Sequence, residues 1–248
     1  MKGVDMRKEY SIFAGLALMF VMTSAQAEVK SDAAPVAGAV ENAAPAPGKC
    51  VSMWDLQDFK DGQLNNKISG ESALSAKEPF PQPVTEPLTG MRFTKNCISF
   101  GKCPAIMSSG APYSMITEIV PEGIPGAYCG GIVQAFSYLN SGFRISLGQD
   151  MKLGVEINTG KGSENTKYVQ SKTVLQIGTK YKVEVRFDGK TASLFINGQL
   201  DNAIACPLPA PCSGDIQIGC ASGKDYYFIG IIGSVGFYAI DPAKDEKK

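Results

Sequence analysis

The 248 residues of this chain include no histidine, and this limits the chemistry that the chain can perform. The Ser-His-Asp and Cys-His nucleophile systems and every histidine-containing metal site are therefore excluded. The side chains that remain for chemistry include 24 carboxylates, nine tyrosines and seven cysteines. The 24 acidic residues balance 24 lysines and arginines, so the sequence shows no excess of positive charge and we expect no nucleic-acid partner.

Tyrosines supply the most direct candidates for ligand binding. An exposed aromatic ring can stack on the apolar face of a sugar, while a few polar groups beside it fix the orientation. Asp225, Tyr226 and Tyr227 place such groups at a predicted junction between a loop and a strand, and Tyr138 lies near another predicted loop. The alternative is that these rings cover the ends of the fold or belong to the core. A core position is what we expect for Trp54, the single tryptophan.

The seven cysteines all follow an N-terminal segment typical of exported proteins, so we expect disulfides. Two pairs share the spacing C-x5-C and could each pin a loop, namely Cys97 with Cys103 and Cys206 with Cys212. The three cysteines left over would then be Cys50, Cys129 and Cys220. Two of these at most can pair, which leaves one thiol free, buried or available for a covalent dimer. A thiolate metal site is the weaker alternative, since no C-x-x-C motif is present.

The chain divides into a leader, a linker, a domain and a short tail. Residues 1–27 combine a charged start, an apolar run of about eleven residues and a small-x-small ending, which is the pattern of a secretory signal peptide. That run is shorter than the roughly 20 residues needed to cross a bilayer, and we expect no transmembrane segment in the mature chain. Residues 28–48 are rich in Ala and Pro and read as a disordered linker. Residues 49–241 form the predicted domain, and 242–248 a charged tail.

Apolar residues recur at every second position of the domain, between Gly, Asn and Asp turn signals. Asp188-Gly189 and Asn197-Gly198 supply the tight turns of two hairpins. No helical period appears outside the leader, so the pattern predicts an all-β domain of two antiparallel sheets packed face to face. Glu156 and Glu184 are expected on solvent-facing sides of strands. The clearest predicted strands are 116–120, 131–137, 143–147, 151–157, 167–171, 181–187, 192–196, 216–219 and 229–238.

Several motifs, in order, resemble those of one family. The Trp54-Asp55-Leu56 segment and Gly90-Met91-Arg92-Phe93 are followed by an Asp-Gly and Asn-Gly hairpin over 181–198 and by glycine-containing strands over 216–219 and 228–238. This order is similar to the laminin G-like domains of the concanavalin A-like lectin/glucanase superfamily. The resemblance implies a jelly roll over most of the domain. One departure is Tyr181, where the family usually carries tryptophan.

The resemblance also raises two questions of chemistry. Laminarinase-like members of the superfamily carry an E-x-D-x-x-E pattern, because a retaining glycosidase needs two carboxylates about 5 to 5.5 Å apart. This chain lacks the pattern, and we predict that it is not an enzyme. Some members bind calcium through loop carboxylates, for which Asp58 and Asp61 are the nearest local pair. The sequence contains no D-x-D-x-D-G loop, and a turn at Asp61-Gly62 is the simpler interpretation, so calcium is the only cofactor considered.

These observations predict an exported, non-catalytic recognition module in the periplasm or the extracellular medium. Its expected partner is a carbohydrate or another cell-envelope or extracellular polymer. The main alternative is a structural or adhesive module that binds another protein. A glycoside hydrolase-like enzyme is the third hypothesis.

Overall fold

The alternating segments of the sequence form strands, and the strands form two large sheets. The computed structural model describes residues 48–69, 72–73, 75–76, 79–100, 103–126, 128–137, 140–212, 214–221 and 226–240. All of these belong to one compact unit. The predicted leader 1–27, almost all of the predicted linker and the tail 242–248 lie outside the described residues.

The first sheet contains β1 (Lys49–Asp55), β5 (Gln82–Val84), β6 (Gly90–Phe93), β8 (Tyr113–Pro121), β13 (Tyr181–Phe187), β14 (Thr191–Ile196), β15 (Gln199–Ala205) and β19 (Gly230–Ala239). Its order within the described residues is β15-β14-β13-β8-β19-β6-β5, and β1 also pairs with β19. All of its neighbouring strands are antiparallel.

The second sheet contains β4 (Ser75–Ala76), β7 (Ile98–Phe100), β9 (Cys129–Ser137), β10 (Ser141–Gly148), β11 (Lys152–Asn158), β12 (Thr166–Val174), β16 (Ile216–Ile218), β17 (Cys220–Ala221) and β18 (Tyr226–Tyr227). Its order within the described residues is β12-β11-β10-β9-β16-β7-β4, and a hairpin of β17 and β18 pairs with β9. A small separate sheet joins β2 (Leu64–Asn65) and β3 (Ser72–Ala73).

Helical structure in the described residues is limited to three short 3-10 turns, at Leu56–Asp58, Ala105–Ser108 and Ser163–Asn165. None of these turns has the length and apolar character of a membrane-spanning helix. The prediction of an all-β sandwich of two antiparallel sheets is confirmed.

The inward-facing side chains of the two sheets form one core. Phe143 on the second sheet and Phe187 on the first have ring centroids 5.2 Å apart, so aromatic contacts join the two layers directly. Tyr113 and Phe237 complete this aromatic group at centroid distances of 5.2 to 6.3 Å. Trp54 packs edge-on against Phe237 and is 3% exposed, which confirms its predicted place in the core.

The predicted solvent exposure of Glu184 is wrong. The side chains of Glu184 and Arg186 are 6% and 8% exposed, and they form an ion pair of 2.8 Å. The guanidinium carbon of Arg186 lies 5.4 Å from the centre of the Phe195 ring. Glu184 is in register with Ile116 on one side and Phe195 on the other, and these large neighbours cover it. A strand pattern read along one segment does not reveal such neighbours.

The disulfide connectivity also differs from the pairs predicted from the cysteine spacing. Cys97 is bonded to Cys220, with the two Cα atoms 5.3 Å apart, and therefore does not pair with Cys103. The reason is that β7 and β16 are antiparallel partners with Ile98 opposite Ile218, which brings Cys97 beside Cys220. The second predicted pair, Cys206 with Cys212, is not bonded either. The described cysteines that remain free are Cys50, Cys103, Cys129, Cys206 and Cys212.

Candidate functional site

A row of polar side chains crosses the outer face of the second sheet from β7 to β12. The strand register aligns one residue from each of six neighbouring strands. Directly opposed residues in paired strands share a face of the sheet, so the six side chains stand beside one another. This polar row consists of Ser99, Gln217, Gln134, Arg144, Glu156 and Tyr168.

Strand alternation turns the polar row away from the core. Phe143 and Ile145, on either side of Arg144, have no exposed surface and belong to the core. The same holds for the two neighbours of Glu156 in β11. Because successive side chains in a strand point to opposite faces, Arg144 and Glu156 point outward.

Contacts within the polar row hold four of its side chains, and one of the four, Gln134, is only 6% exposed. The Gln134 amide nitrogen donates a hydrogen bond to the Gln217 side-chain oxygen. Arg144 and Glu156 form an ion pair in which each side chain is 18% exposed. The Arg144 guanidinium carbon also lies 5.2 Å from the centre of the Phe136 ring. The predicted exposure of Glu156 is therefore only partly met, since the carboxylate is held by Arg144 against the sheet.

Tyr168 ends the polar row with an aromatic ring that is open to solvent. The residue is 56% exposed, and it stands opposite Glu156. Its ring lies over Gly154, where an added Cβ would come within 2.9 Å of the ring carbon that carries the hydroxyl. Partial burial raises the pKa of the Tyr168 hydroxyl, and the Asp150 carboxylate adds to this effect. The hydroxyl is thus a neutral donor at physiological pH.

The β17–β18 hairpin borders the polar row along β9. Tyr227 is paired in parallel with Gly131, and a Cβ at Gly131 would strike the backbone of Cys220. The hairpin therefore packs against this face of β9, and the disulfide of Cys220 ties it to the start of β7. Tyr226 and Tyr227 are both half-buried here. Their role in binding stays a prediction.

Two further predicted binding residues, Asp225 and Tyr138, lie outside the described residues.

Of the two predicted calcium ligands, Asp58 forms an ion pair and Asp61 lies in a tight turn. The Asp58 carboxylate lies 3.1 Å from the Lys67 ammonium, which also pairs with Asp55 at 2.9 Å. The hydrogen bonds that Lys67 donates to these two carboxylates raise its pKa. Asp61 has a φ of 53° in a tight turn with Gly62. No group of three acidic or cysteine side chains with metal-binding geometry occurs among the described residues, and calcium binding stays a prediction.

A groove of about 440 Å³ lies beside the first sheet, and Asp55, Thr89, Glu118, Lys180 and Ser234 are among its lining residues. Lys180 and Glu118 form an ion pair of 2.8 Å within it. The described lining includes no aromatic ring, so the groove offers polar contacts without a surface for stacking.

Most of the polar row was not singled out from the sequence. Gln134, Arg144 and Gln217 read as ordinary outward residues of separate strands, because the order of the strands is not visible along the chain. Gly154 and Tyr168 did carry a usable signal. A glycine at an outward position of one predicted strand leaves space for a large side chain from the next strand.

Residues 109–243, more than half of the chain, match the family model described as the concanavalin A-like lectin/glucanases superfamily. The chain belongs to this superfamily. The matched segment runs from before β8 to beyond β19 and includes every residue of the polar row except Ser99. The laminin G-like resemblance is thereby confirmed. No curated protein gives a significant match to the chain.

Known structures share this superfamily fold at low sequence identity. The botulinum neurotoxin serotype D binding domain aligns with a TM-score of 0.60 and 11% identity over 78% of this chain and 49% of that one. This chain thus spans about half the length of that binding domain. Domain 4 of AbnA, an extracellular arabinanase from Geobacillus stearothermophilus solved with arabinotriose, aligns with a TM-score of 0.58 and 13% identity over 80% of this chain and 97% of that one.

An enzyme is also among these structural neighbours. The Trypanosoma rangeli sialidase, in complex with sialic acid, aligns with a TM-score of 0.56 and 9% identity over 79% of this chain and 32% of that one. At such identities the alignments establish the shared fold.

Proposed function

We propose that this chain is an exported, non-catalytic carbohydrate-recognition module that binds a neutral glycan of the cell envelope or extracellular medium along the polar row. The observation that carries the proposal is the alignment of six outward side chains that ends on the exposed ring of Tyr168. A sugar presents hydroxyl groups around an apolar ring face, and this arrangement offers matching hydrogen-bonding groups beside an aromatic surface.

The dimensions and charge of the polar row favour a neutral oligosaccharide. Six adjacent strands spaced by 4.7 to 4.9 Å place its ends about 24 Å apart, which suits several linked sugars better than one. The charge of Arg144 is balanced by that of Glu156. Because these groups are already held by each other and by Phe136, binding requires little loss of side-chain freedom.

The composition of the polar row supports recognition over hydrolysis. Glu156 is its one carboxylate, whereas a typical glycosidase places two carboxyl groups on either side of the scissile bond. The Glu156 carboxylate is already engaged by Arg144. The structural neighbour from the arabinanase AbnA, a domain solved with arabinotriose, supports the idea that a sandwich of this size binds a neutral oligosaccharide.

The Cys97–Cys220 disulfide supports export, because such bonds persist in oxidising compartments.

Calorimetric titration of the full chain with neutral and acidic polysaccharides tests this function. We expect saturable binding to a neutral polymer, and we expect Tyr168→Ala to weaken it by about tenfold or more through loss of the stacking surface. Leu200→Ala is the matched control, because Leu200 is a partly exposed apolar residue on β15 of the other sheet. Equal weakening by both variants would contradict the proposal. Binding to no polysaccharide would favour the alternative of a protein-binding module.

A further inference from the structure

The β7–β16 ladder has a cysteine beyond each end of each strand. Within the ladder Ile98 is opposite Ile218 and Phe100 is opposite Ile216. Continuing this register outward places Cys97 one residue from the position opposite Cys220, where the disulfide is found. At the other end of the ladder, Cys103 follows β7 by three residues and Cys212 precedes β16 by four. One cysteine pair therefore lies beyond each end of the ladder.

Backbone contacts bring the second pair together. The Cys103 amide donates a hydrogen bond of 3.0 Å to the Gly214 carbonyl oxygen, and the Cys103 thiol donates to the same oxygen at 3.0 Å. Gly214 also lies against Cys212, since an added Cβ at Gly214 would be 3.8 Å from the Cys212 sulfur. Both thiols thus meet at one residue, and both contact the core.

The electrostatics of the two thiols fit direct contact between them. A hydrogen bond with Cys103 lowers the pKa of the Cys212 thiol to about 6. The same hydrogen bond, together with burial, raises the pKa of Cys103. The Cys212 sulfur is thereby favoured as the thiolate that attacks in thiol–disulfide exchange.

We propose that Cys103 and Cys212 form a second disulfide, which closes the other end of the β7–β16 ladder. The oxidant is a small or protein disulfide of the exporting compartment. The Cys212 thiolate attacks one sulfur of that disulfide and releases one thiolate. Cys103 passes its proton to the released thiolate, and its sulfur then attacks the Cys212 sulfur and releases the second thiolate. Two cysteine sulfurs are oxidised, and one disulfide is reduced to a thiol and a thiolate.

Peptide mapping of the full chain, secreted into an oxidising medium, tests this pairing. The protein is denatured without reductant, its free thiols are alkylated, and the digest is analysed by mass spectrometry. We expect two cross-linked peptide pairs, Cys97 with Cys220 and Cys103 with Cys212, and alkylation of Cys50, Cys129 and Cys206. Alkylation of both Cys103 and Cys212 after incubation with oxidised glutathione would overturn the proposal. A Cys206–Cys212 cross-link would overturn it as well.

Counting free thiols in two single variants gives an independent readout. Two disulfides among seven cysteines leave three thiols in the native chain. Cys103→Ser should raise the number of alkylated thiols by one, because it releases Cys212. The matched control Cys206→Ser should lower the number by one. A decrease in the number of alkylated thiols in both variants would contradict the pairing. If Cys103→Ser does not fold, the peptide map of the unmodified chain still tests the pairing.

Discussion

Replacing Glu184 with Gln tests whether its ion pair with Arg186 is buried. The two side chains are 6% and 8% exposed, and the variant removes the negative charge that pairs with Arg186. Removing one member of a buried ion pair costs about 3 to 5 kcal/mol. For a domain of this size, that loss lowers Tm by roughly 6 to 20 °C. Urea denaturation followed by tryptophan fluorescence measures the free energy of unfolding, because Trp54 lies in the core.

Glu118→Gln provides the matched control. Glu118 also lies in the first sheet and pairs with Lys180 at 2.8 Å, but the two side chains are 36% and 48% exposed. An exposed pair of this kind contributes about 1 kcal/mol at most. We therefore expect a clear difference between the two Glu→Gln variants.

A double variant separates the cost of an isolated charge from the value of the pair. Glu184→Met with Arg186→Met removes both charges and keeps apolar bulk beneath Phe195. We expect it to recover most of the stability that Glu184→Gln loses, because well-packed apolar residues replace buried pairs at little cost. A loss of less than about 1 kcal/mol in Glu184→Gln would refute the reasoning and would restore the sequence-based prediction of a solvated carboxylate.

Three further perturbations have defined outcomes. Partial burial acts to raise the pKa of Asp188, but hydrogen bonds from the turn that follows it outweigh this and lower the pKa. The ionised Asp188 therefore stabilises the fold at neutral pH, and this contribution is lost as the pH falls below about 3.8. Asp188→Asn should flatten the acid limb of the curve of unfolding free energy against pH. An unchanged acid limb would contradict this. Asp201 accepts hydrogen bonds of 2.6 and 3.0 Å from two backbone amides of β12 across the edge of the sandwich, and Asp201→Ala should cost about 1 to 2 kcal/mol in urea denaturation. Gly131→Ala should destabilise the protein by about 1 to 3 kcal/mol, because the added Cβ would strike the backbone of Cys220. The control Gly126→Ala should be close to neutral, because its Cβ would meet no atom within 4 Å. Equal losses in the two variants would argue against the packing of the hairpin.

The fold was predictable from the sequence wherever one face of a strand is buried. β13 and β14 show this best, since alternating apolar residues and an Asp-Gly turn indicate both strands and their connection. β15 escaped prediction because its side chains are mostly exposed or half-buried, so they leave no apolar alternation. The burial of Glu184 escaped for a different reason, since it depends on neighbours in two adjacent strands.

The candidate site was much less predictable because it depends on register between distant segments. Ser99 and Gln217 lie opposite each other only through the pairing of β7 with β16. The Cys97–Cys220 disulfide depends on that same pairing. Tyr226 and Tyr227 were singled out for their residue type, and the structure places them on the hairpin beside the polar row.

Locating the bound glycan on the protein tests glycan recognition by the polar row most directly. Backbone amide NMR spectra of the isotopically labelled chain would be recorded during titration with the neutral oligosaccharide that binds most tightly. If the glycan binds along the polar row, the shifted amides will cluster in β9 to β12 and β16, around Gln134, Arg144 and Tyr168. Shifts confined to the first sheet, or to the groove beside Glu118 and Lys180, would contradict the assignment of the polar row as the binding surface.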